Sequence, residues 1–329
     1  MGKHANSRIL VVRLGALGDI IHTLPAVASL KHSHPGAHLT WMVEPRWACL
    51  LEDNPFVDEV MLLQRDRPSG LIESWRNLRA ERYDFAVDFQ GLIKSALVAS
   101  AARPDRIFGF HHTEVRERAA AVFYSNEIQT HSIHVVDKNL DLASAAGASS
   151  ELRVFPLPAG REEGELPSGD FVLACPLAGW RSKQWPIEYY GVLAQRLRQE
   201  VGIPLVLNGP PSATEAFSEI ADAVANFSGL AGLLYATRRA TAVLGVDSGP
   251  LHVAAALGKA GIALFGPTDP ARNGPYGDSM RVLRSPSAVT SYKRGAAIDE
   301  SMKRISPSEV FEALKAVLGE RRHRAGCLA

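Results

Sequence analysis

The segment from Arg8 to Pro25 joins a buried-strand pattern to a glycine turn and a single carboxylate. Residues 9–12 form a short apolar run that is typical of a strand covered on both faces of a parallel sheet. Gly15 and Gly18 bracket a turn where the backbone can approach a ligand closely, and Asp19 stands at the expected start of a helix. That carboxylate could act as a general base on a hydroxyl group, or it could only cap the helix, which is worth about 1 kcal/mol. The residues alone leave both interpretations open.

The motif content of the chain excludes the commonest nucleotide-phosphate and metal signatures. Gly15 and Gly18 are separated by two residues, so the turn matches neither GxGxxG nor GxxxxGK[ST]. The sequence also lacks HExxH, DxD and GxSxG, and the spacing of its eleven histidines does not suggest a metal site. His111-His112, like His131 and His134, are expected to be surface or packing residues. We therefore expect no metal and no cofactor.

Polar residues also follow the apolar strand pattern that ends at Asp88. Ligands of open parallel sheets bind outside the carboxyl ends of the strands, so Gln90 and Lys94 could contact one. The simpler interpretation is that Asp88 lies in a turn and Lys94 at a solvated helix position. Without further information, the second interpretation is favoured.

A third polar segment, residues 176–186, places two cations and two tryptophans between a strand and a helix. Arg181 and Lys183 suit a diphosphate, and the compact charge of a lysine can also stabilise a departing phosphate. Charged loops are usually solvated surface, but the paired tryptophans and the position after a strand favour ligand binding here.

The fourth segment, residues 245–252, passes from an apolar strand through a small polar turn into an alanine-rich helix. The backbone N–H groups at Ser248 and Gly249, with the Ser248 hydroxyl, lie at the positive end of that helix and could bind a diphosphate. Asp247 and His252 could reach a ribose or a phosphate, although a purely structural histidine is an equal alternative.

Strand-like and helix-like patterns alternate in both halves of the chain, which indicates βαβ units and parallel sheets. Between the halves, residues 150–169 concentrate proline, glycine and charge, as expected of a linker, and the length of 329 residues agrees with two domains. Helices are expected over 114–124 and 213–224 among others, and residues 306–320 are expected to form a capped C-terminal helix.

Composition narrows the class of protein further. The chain is 46% hydrophobic and 22% charged, with a net charge of only +1, so it carries no global nucleic-acid signature and any basic surface must be local. The cysteines 49, 175 and 327 lack CxxC spacing, which favours a reducing compartment. No signal-peptide pattern or membrane-spanning run is recognised, so we expect a cytoplasmic protein that is not integral to a membrane.

Taken together, these segments resemble the ADP-heptose:lipopolysaccharide heptosyltransferases of glycosyltransferase family 9, most closely the heptosyltransferase I type. Each motif is weak alone, but they occur in the order of the family and span nearly the whole chain. The matching segments are Arg13–Asp19 with His22–Pro25, Asp88–Ser95, Lys183–Pro186, Gly245–His252, Phe265–Pro270, and Met302 with Ile305.

The resemblance implies an α/β GT-B fold of two Rossmann-like domains that face each other across a cleft. Residues 1–155 would form the acceptor-binding domain and residues 156–305 the sugar-nucleotide-binding domain. Residues 306–329 would form a helix that packs back on the first domain, followed by a basic tail that includes Arg321, Arg322 and Arg324.

The resemblance also assigns roles to residues by motif match. Asp19 would be the general base on the acceptor hydroxyl, and Lys183 would stabilise the ADP leaving group. The donor would be bound by Asp247, Ser248, Gly249, His252, Gly179 and Glu215. The acceptor would be bound by Gly18, Gln90, Lys94, Arg116, Arg65 and Arg67. The family usually has threonine where Ser248 stands, and the first-heptose type often has hydroxyl residues where this chain has Ala178-Gly179.

The implied activity is the transfer of L-glycero-D-manno-heptose from ADP-heptose to a Kdo-containing lipid A precursor, with inversion at the anomeric carbon. The anionic lipid acceptor would place the enzyme peripherally at the inner face of the cytoplasmic membrane. Three alternatives stay open at this point. One is transfer of another sugar, or to another acceptor, by the same fold; the others are a nucleotide-sugar epimerase and a non-catalytic binding protein, for which a signal peptide would be expected.

Overall fold

The computed structural model describes residues 7–218 and 220–326, the last six of these by backbone only. The chain divides into two compact units, the first ending at Pro158 and the second beginning at Ala159, within the proline- and glycine-rich segment. Residues 1–6 and 327–329, and the side chains of the expected basic tail, lie outside the described residues. No helix within the described ranges is both long enough and apolar enough to cross a membrane.

The first unit is built on six parallel strands in the order β3-β2-β1-β4-β5-β6. The central strands are apolar on both faces because helices cover both sides of the sheet. The strands are β1 (Arg8–Val12), β2 (His38–Val43), β3 (Glu59–Leu62), β4 (Phe85–Asp88), β5 (Arg106–Phe110) and β6 (Asn126–Ile128). The α-helices are α1 (Leu17–Ser33), α2 (Pro68–Ala80), α3 (Ile93–Ala101) and α4 (Val135–Ala145), and 3₁₀ helices cover Pro45–Leu51 and Arg118–Phe123.

The second unit repeats this plan with six parallel strands in the order β12-β11-β10-β7-β8-β9. The strands are β7 (Val172–Cys175), β8 (Leu205–Gly209), β9 (Ala223–Phe227), β10 (Ala242–Val246), β11 (Gly261–Phe265) and β12 (Met280–Arg284). The α-helices are α5 (Ile187–Arg196), α6 (Thr214–Ser218), α7 (Leu230–Arg239), α8 (Gly249–Ala256), α9 (Pro270–Asn273), α10 (Glu300–Lys303) and α11 (Pro307–Gly326). A π-helical turn, Leu197–Val201, continues α5, and 3₁₀ turns cover Arg181–Lys183 and Pro211–Ala213.

The register of the central strands brings the polar loops of each unit to one edge of its sheet. In the first unit, Val12 at the end of β1 is paired with Met42 on one side and Asp88 on the other. In the second unit, Gly245 near the end of β10 is paired with Cys175 of β7 and Ala263 of β11. Because the strands are parallel, the loops that follow them emerge side by side at the carboxyl edge.

The α/β class with parallel sheets is confirmed, but three strands are absent from the sequence-based prediction. They are β6, β9 and β12, and each lies at an edge of its sheet. Edge strands are covered incompletely, so their sequences lack the continuous apolar run that identifies a central strand. The helix expected over 213–224 is reduced to Thr214–Ser218 because the chain then enters β9, and the one expected over 114–124 is a 3₁₀ helix from Arg118.

The C-terminal helix packs on the second unit, which differs from the expectation that it packs back on the first. Its apolar residues Val310, Phe311 and Leu314 are fully buried in the core that also contains Trp185 and Tyr190. This helix lies against α5 and against the central strands of the second sheet. The physical reason is that α5 leaves part of this sheet face uncovered, and the apolar side of α11 fills it.

Truncating this helix's largest core side chain should therefore destabilise the second unit alone. We expect Phe311→Ala to lower the free energy of opening for amides of β7 and β10 by about 3–5 kcal/mol, since it leaves a cavity in a close-packed core. Native-state hydrogen exchange measures this, and amides of β1 serve as the internal control. The exposed Ser308→Ala on the same helix should change neither set by more than about 0.5 kcal/mol. If the amides of β7 and β10 were as well protected in Phe311→Ala as in wild type, this packing would be contradicted.

Candidate functional site

Asp19 lies in the first turn of α1, at the carboxyl edge of the first sheet. The helix begins two residues earlier than expected, with Ala16 as its N-cap, so Asp19 is its third residue and caps it only through the N-cap backbone. Its Oδ2 accepts a hydrogen bond from the Ala16 backbone N–H at 3.3 Å and pairs with an Arg13 guanidinium nitrogen at 2.7 Å. The Asp19 side chain is 47% exposed, whereas that of Arg13 is only 10% exposed. A buried cation thus holds one oxygen of an accessible carboxylate.

Two hydrogen bonds and one close packing contact fix the conformation of the turn between β1 and α1. The guanidinium of Arg13 also donates to the Phe89 carbonyl, and the Leu14 N–H donates to Gln90 Oε1 at 2.8 Å. A Cβ at Gly15 would lie 2.6 Å from the indole nitrogen of Trp47, so any larger residue there would force the indole ring to move. The sequence predicts that Gln90 contacts a ligand, and in this structure its amide oxygen positions the turn that carries Asp19.

Asp88 organises the segment that supplies Gln90. Its side chain is fully buried and accepts hydrogen bonds from the Gln90 N–H at 2.8 Å, the Tyr124 hydroxyl at 2.7 Å and the Ser95 hydroxyl at 2.8 Å. Burial raises the pKa of the Asp88 carboxyl, although these hydrogen bonds favour its charged form. Burial and the neighbouring Asp88 also raise the pKa of Tyr124, so the phenol stays a donor. Asp88 is therefore a structural support of the site.

Glu44 forms ion pairs with three cations at the same edge. No motif in the sequence singles it out. It follows β2, its side chain is 9% exposed, and its carboxylate contacts Arg46 at 3.1 Å, Lys94 at 3.4 Å and the guanidinium of Arg65. The structure thus brings together Arg65 and Lys94, two of the predicted acceptor residues. Three cations against one carboxylate leave this edge positively charged. We call Glu44, Arg46, Arg65 and Lys94 the basic cluster.

The other predicted acceptor residues take no part in this cluster. Arg67 is exposed at the residue before α2, and Arg116 is exposed in the loop that follows β5. Gly18 is half-buried in the first turn of α1, beside Asp19. The family resemblance groups Arg67 with Arg65, but of these two arginines only Arg65 forms an ion pair with Glu44 within the described residues.

The second unit contains a buried ion pair at the carboxyl edge of its sheet. Lys183, in the 3₁₀ turn after β7, lies with its ammonium 2.6 Å from Asp247 Oδ2 at the end of β10. The side chains are 16% and 4% exposed, respectively. The Lys183 ammonium also lies 4.5 Å from the centre of the Trp180 ring. The two predicted segments, 176–186 and 245–252, are thus joined through their central charges.

Polar groups around Asp247 complete this edge. The Asn273 amide donates to Asp247 Oδ1 at 3.3 Å, and His252 Nε2 lies 3.8 Å from the same oxygen. Ser248 is the N-cap of α8, and Gly249 is the first residue of that helix. The Ser248 hydroxyl is buried and has no hydrogen-bond partner within the described residues. It is therefore available to a ligand at the helix N-terminus.

Two further hydroxyl groups at this edge lie in segments that the sequence singles out, but the sequence assigns neither residue a role of its own. Thr268, after β11, and Ser182, beside Lys183, are buried, and their hydroxyls lack partners in the part of the chain that the structure describes. Buried hydroxyls are normally hydrogen-bonded, so each is a candidate ligand contact. They could supply the hydrogen bonds that Ala178-Gly179 lack. Their signal in the sequence is that Ser182 lies in the polar segment 176–186 and Thr268 in the family-matching segment Phe265–Pro270.

The remaining predicted donor residues are exposed at the periphery of this edge. Gly179 is exposed, and no atom lies within 4 Å of where its Cβ would be, so close packing does not require a glycine there. Glu215 is exposed on α6, after β8. Neither of them takes part in the Lys183–Asp247 ion pair.

The structure also brings together a histidine and carboxylate group that sequence spacing does not reveal. One ligand atom from each of His111, His112 and Glu127 lies within 4.8 Å of the others. The backbone N–H of His112 donates to the Glu127 carboxylate at 2.9 Å and its ring nitrogen lies 3.0 Å away, which lowers the pKa of Glu127. These donors have chemistry that suits zinc, but none of the groups described above depends on them.

Comparison with known proteins identifies the family. The model of glycosyltransferase family 9 (heptosyltransferase) matches residues 71–299. Lipopolysaccharide heptosyltransferase 1 of Pseudomonas aeruginosa is 29% identical over 304 residues, which cover 84% of each chain. The Escherichia coli K12 protein of the same name is 29% identical over 303 residues, which cover 85% of this chain and 94% of its own.

A solved structure shares the fold. The structure described as E. coli heptosyltransferase WaaC with ADP superposes with a TM-score of 0.76 at 24% identity and covers 94% of this chain and 99% of its own. The predicted GT-B fold class and the resemblance drawn from the motifs are both confirmed. The chain belongs to glycosyltransferase family 9, the heptosyltransferases, and is a glycosyltransferase.

Proposed function

We propose that this chain transfers L-glycero-D-manno-heptose from ADP-heptose to a Kdo-containing lipid A acceptor, with inversion at the anomeric carbon. The two relatives described above are named lipopolysaccharide heptosyltransferase 1. One relative has been solved with ADP. The observation that carries the assignment of roles is the Arg13–Asp19 pair, which holds an accessible carboxylate at the carboxyl edge of the sheet.

Asp19 is proposed as the general base. Both contacts described above engage Oδ2, so Oδ1 can accept a proton from an acceptor hydroxyl. As that proton moves to Asp19, the hydroxyl oxygen bonds to the anomeric carbon of the heptose, and the bond from that carbon to the phosphate oxygen breaks. A single displacement of this kind places the new bond on the opposite face of the sugar, which is the reason for inversion.

Lys183 is proposed to stabilise the departing ADP. The leaving group takes the electron pair of the broken bond, so negative charge grows on its terminal phosphate, and a positioned ammonium lowers the cost. Asp247 holds that ammonium at 2.6 Å. The Ser248 hydroxyl and the backbone N–H of Gly249 would bind the diphosphate. His252 next to Asp247, with Gly179 and Glu215 at the periphery, would contact the rest of the donor.

The basic cluster is proposed to bind the anionic acceptor. Arg65 and Lys94 are both about two-fifths exposed while their common partner Glu44 is buried, so their charged ends can meet a carboxylate or phosphate. Arg67 and Arg116, both exposed, would add long-range attraction. Gly18 beside Asp19 would let the acceptor approach the base, and Gln90 would act by positioning it. A lipid acceptor of this charge places the enzyme at the inner face of the cytoplasmic membrane.

Replacing the proposed base should abolish catalysis and spare donor binding. We expect Asp19→Asn to lower the rate of heptose transfer by about 10²- to 10⁴-fold, because the amide cannot accept the proton. ADP-heptose affinity, measured by calorimetry, should stay within about twofold because the base acts on the acceptor.

The matched control is Asp105→Asn. Asp105 is also an exposed aspartate paired with an arginine, Arg82 at 3.3 Å, but it precedes β5 and so lies at the amino edge of the same sheet. Its substitution should leave transfer unchanged. Transfer at the wild-type rate by Asp19→Asn would exclude Asp19 as the base.

Removing Lys183, the cation proposed to stabilise the leaving group, should impair both donor binding and transfer. We expect Lys183→Ala to slow transfer by at least about 10²-fold and to weaken ADP-heptose binding. Because this variant leaves the buried Asp247 without its ammonium, thermal unfolding must be measured in parallel. Lys303→Ala is the control, since Lys303 also pairs with a carboxylate, Glu300, at 2.6 Å but is exposed. If Lys183→Ala folds and shows normal ADP-heptose binding and transfer, then Lys183 has no role in the proposed donor site.

A further inference from the structure

Helix α2 presents an apolar stripe to solvent. Its buried side is lined by small and apolar residues spaced four apart: Gly70, Ser74 and Leu78. On another side, Leu71, Ile72 and Trp75 are 45%, 54% and 48% exposed. A surface helix of a globular protein normally turns its apolar residues inward and its charged ones outward. Packing within the unit therefore does not account for this stripe.

The elements next to α2 in the fold also expose apolar side chains. Ile93 and Leu97, one turn apart on α3, are 39% and 48% exposed. α3 packs against α2 and against the 3₁₀ helix Arg118–Phe123, which exposes Val122. The Arg79 side chain ties the end of α2 to the end of α3 through a 3.3 Å hydrogen bond to the Ala101 carbonyl. We call the exposed residues of these three elements the apolar face: Leu71, Ile72, Trp75, Ile93, Leu97 and Val122.

Cations accompany the apolar face. On α2, Arg76 and Arg79 are exposed, against a single acidic residue, Glu73. The Arg79 guanidinium lies 4.8 Å from the centre of the Trp75 ring. The 3₁₀ helix begins with Arg118, which is also exposed. Tryptophan beside arginine, on a helix with exposed leucine and isoleucine, is the composition of segments that lie in a membrane interface.

We propose that the apolar face docks the first unit onto a bilayer that contains anionic phospholipids. Ile72 and Trp75 enter the boundary between headgroups and acyl chains, and Arg76 and Arg79 contact the phosphates. Contiguous exposed apolar surface marks an interaction site, and the adjacent positive charge selects an anionic surface. The inference rests on the proposed function, because a lipid acceptor is presented at such a surface.

Vesicle co-sedimentation tests the docking. Wild type should bind vesicles that contain phosphatidylglycerol, and Ile72→Gln with Trp75→Gln should lower the partition coefficient by at least about tenfold. Val192→Gln is the matched control, since Val192 is an equally exposed apolar residue (48%) on α5 of the second unit. It should bind as wild type does. Arg76→Gln should weaken binding by about fivefold on these vesicles and have no effect on vesicles of phosphatidylcholine alone.

A second measurement locates the contact. Brominated acyl chains should quench part of the tryptophan fluorescence of wild type, and Trp75→Phe should still bind but lose that quenching. The docking is overturned if wild type does not sediment with phosphatidylglycerol vesicles, or if the Ile72→Gln/Trp75→Gln variant sediments equally well. It is also overturned if wild type stays off vesicles but self-associates through this face in sedimentation velocity, since a second copy would then be the occupant.

Transfer assays with a Kdo acceptor that lacks acyl chains separate this inference from the proposed function. The Ile72→Gln/Trp75→Gln variant should transfer heptose to this acceptor at the wild-type rate, because these residues do not touch the reacting groups. Loss of transfer by this variant would show that the face serves catalysis and would overturn the docking role. Failure of wild type to transfer heptose, with vesicle binding intact, would overturn the proposed function and leave the docking supported.

Discussion

Parallel pairing of the strands is the constraint on which both units depend. A central parallel strand is buried on both faces, so it can carry little besides apolar side chains, and polar residues are found mainly in the loops that follow. Because all strands of a sheet run the same way, those loops emerge at one edge. Arg13, Glu44 and Asp88 follow or end neighbouring strands of the first sheet, and Asp247 ends a central strand of the second. The charged candidate groups are therefore concentrated where the strands end.

At these edges, a buried charge repeatedly holds a more exposed charge of opposite sign. Arg13 holds Asp19, Glu44 holds Lys94, and Asp247 holds Lys183. Burying an ion is costly unless a partner compensates it, so each buried member fixes the position of its partner. The more exposed member keeps part of its side chain accessible, least so for Lys183 at 16%. This division explains how functional groups can be both preorganised and reachable without an elaborate network of side chains.

The strength of a local pattern decided which features could be predicted. The central strands, the glycine turn before Asp19 and the helix that follows Ser248 all have signals within a few residues. Glu44 could not be predicted as part of the site, because a single carboxylate after a strand has no distinguishing neighbours in the sequence. The edge strands β6, β9 and β12 could not be predicted, because they are only partly buried and therefore carry polar residues. The roles of Asp19 and Lys183 came from motif resemblance and not from periodicity.

By itself, the sequence determined the alternation of strands and helices, the family, and the loops that carry the candidate groups, because these depend on neighbours along the chain. Tertiary structure alone decided which groups meet. Arg13 and Leu14 donate hydrogen bonds to Phe89 and Gln90, respectively, which lie 76 positions further along the chain. These contacts form because β1 and β4 are neighbours in the sheet. The packing of α11 on the second unit is likewise a contact between distant segments. Such contacts depend on strand order and on the shape of the available surface, and local sequence does not encode either of these.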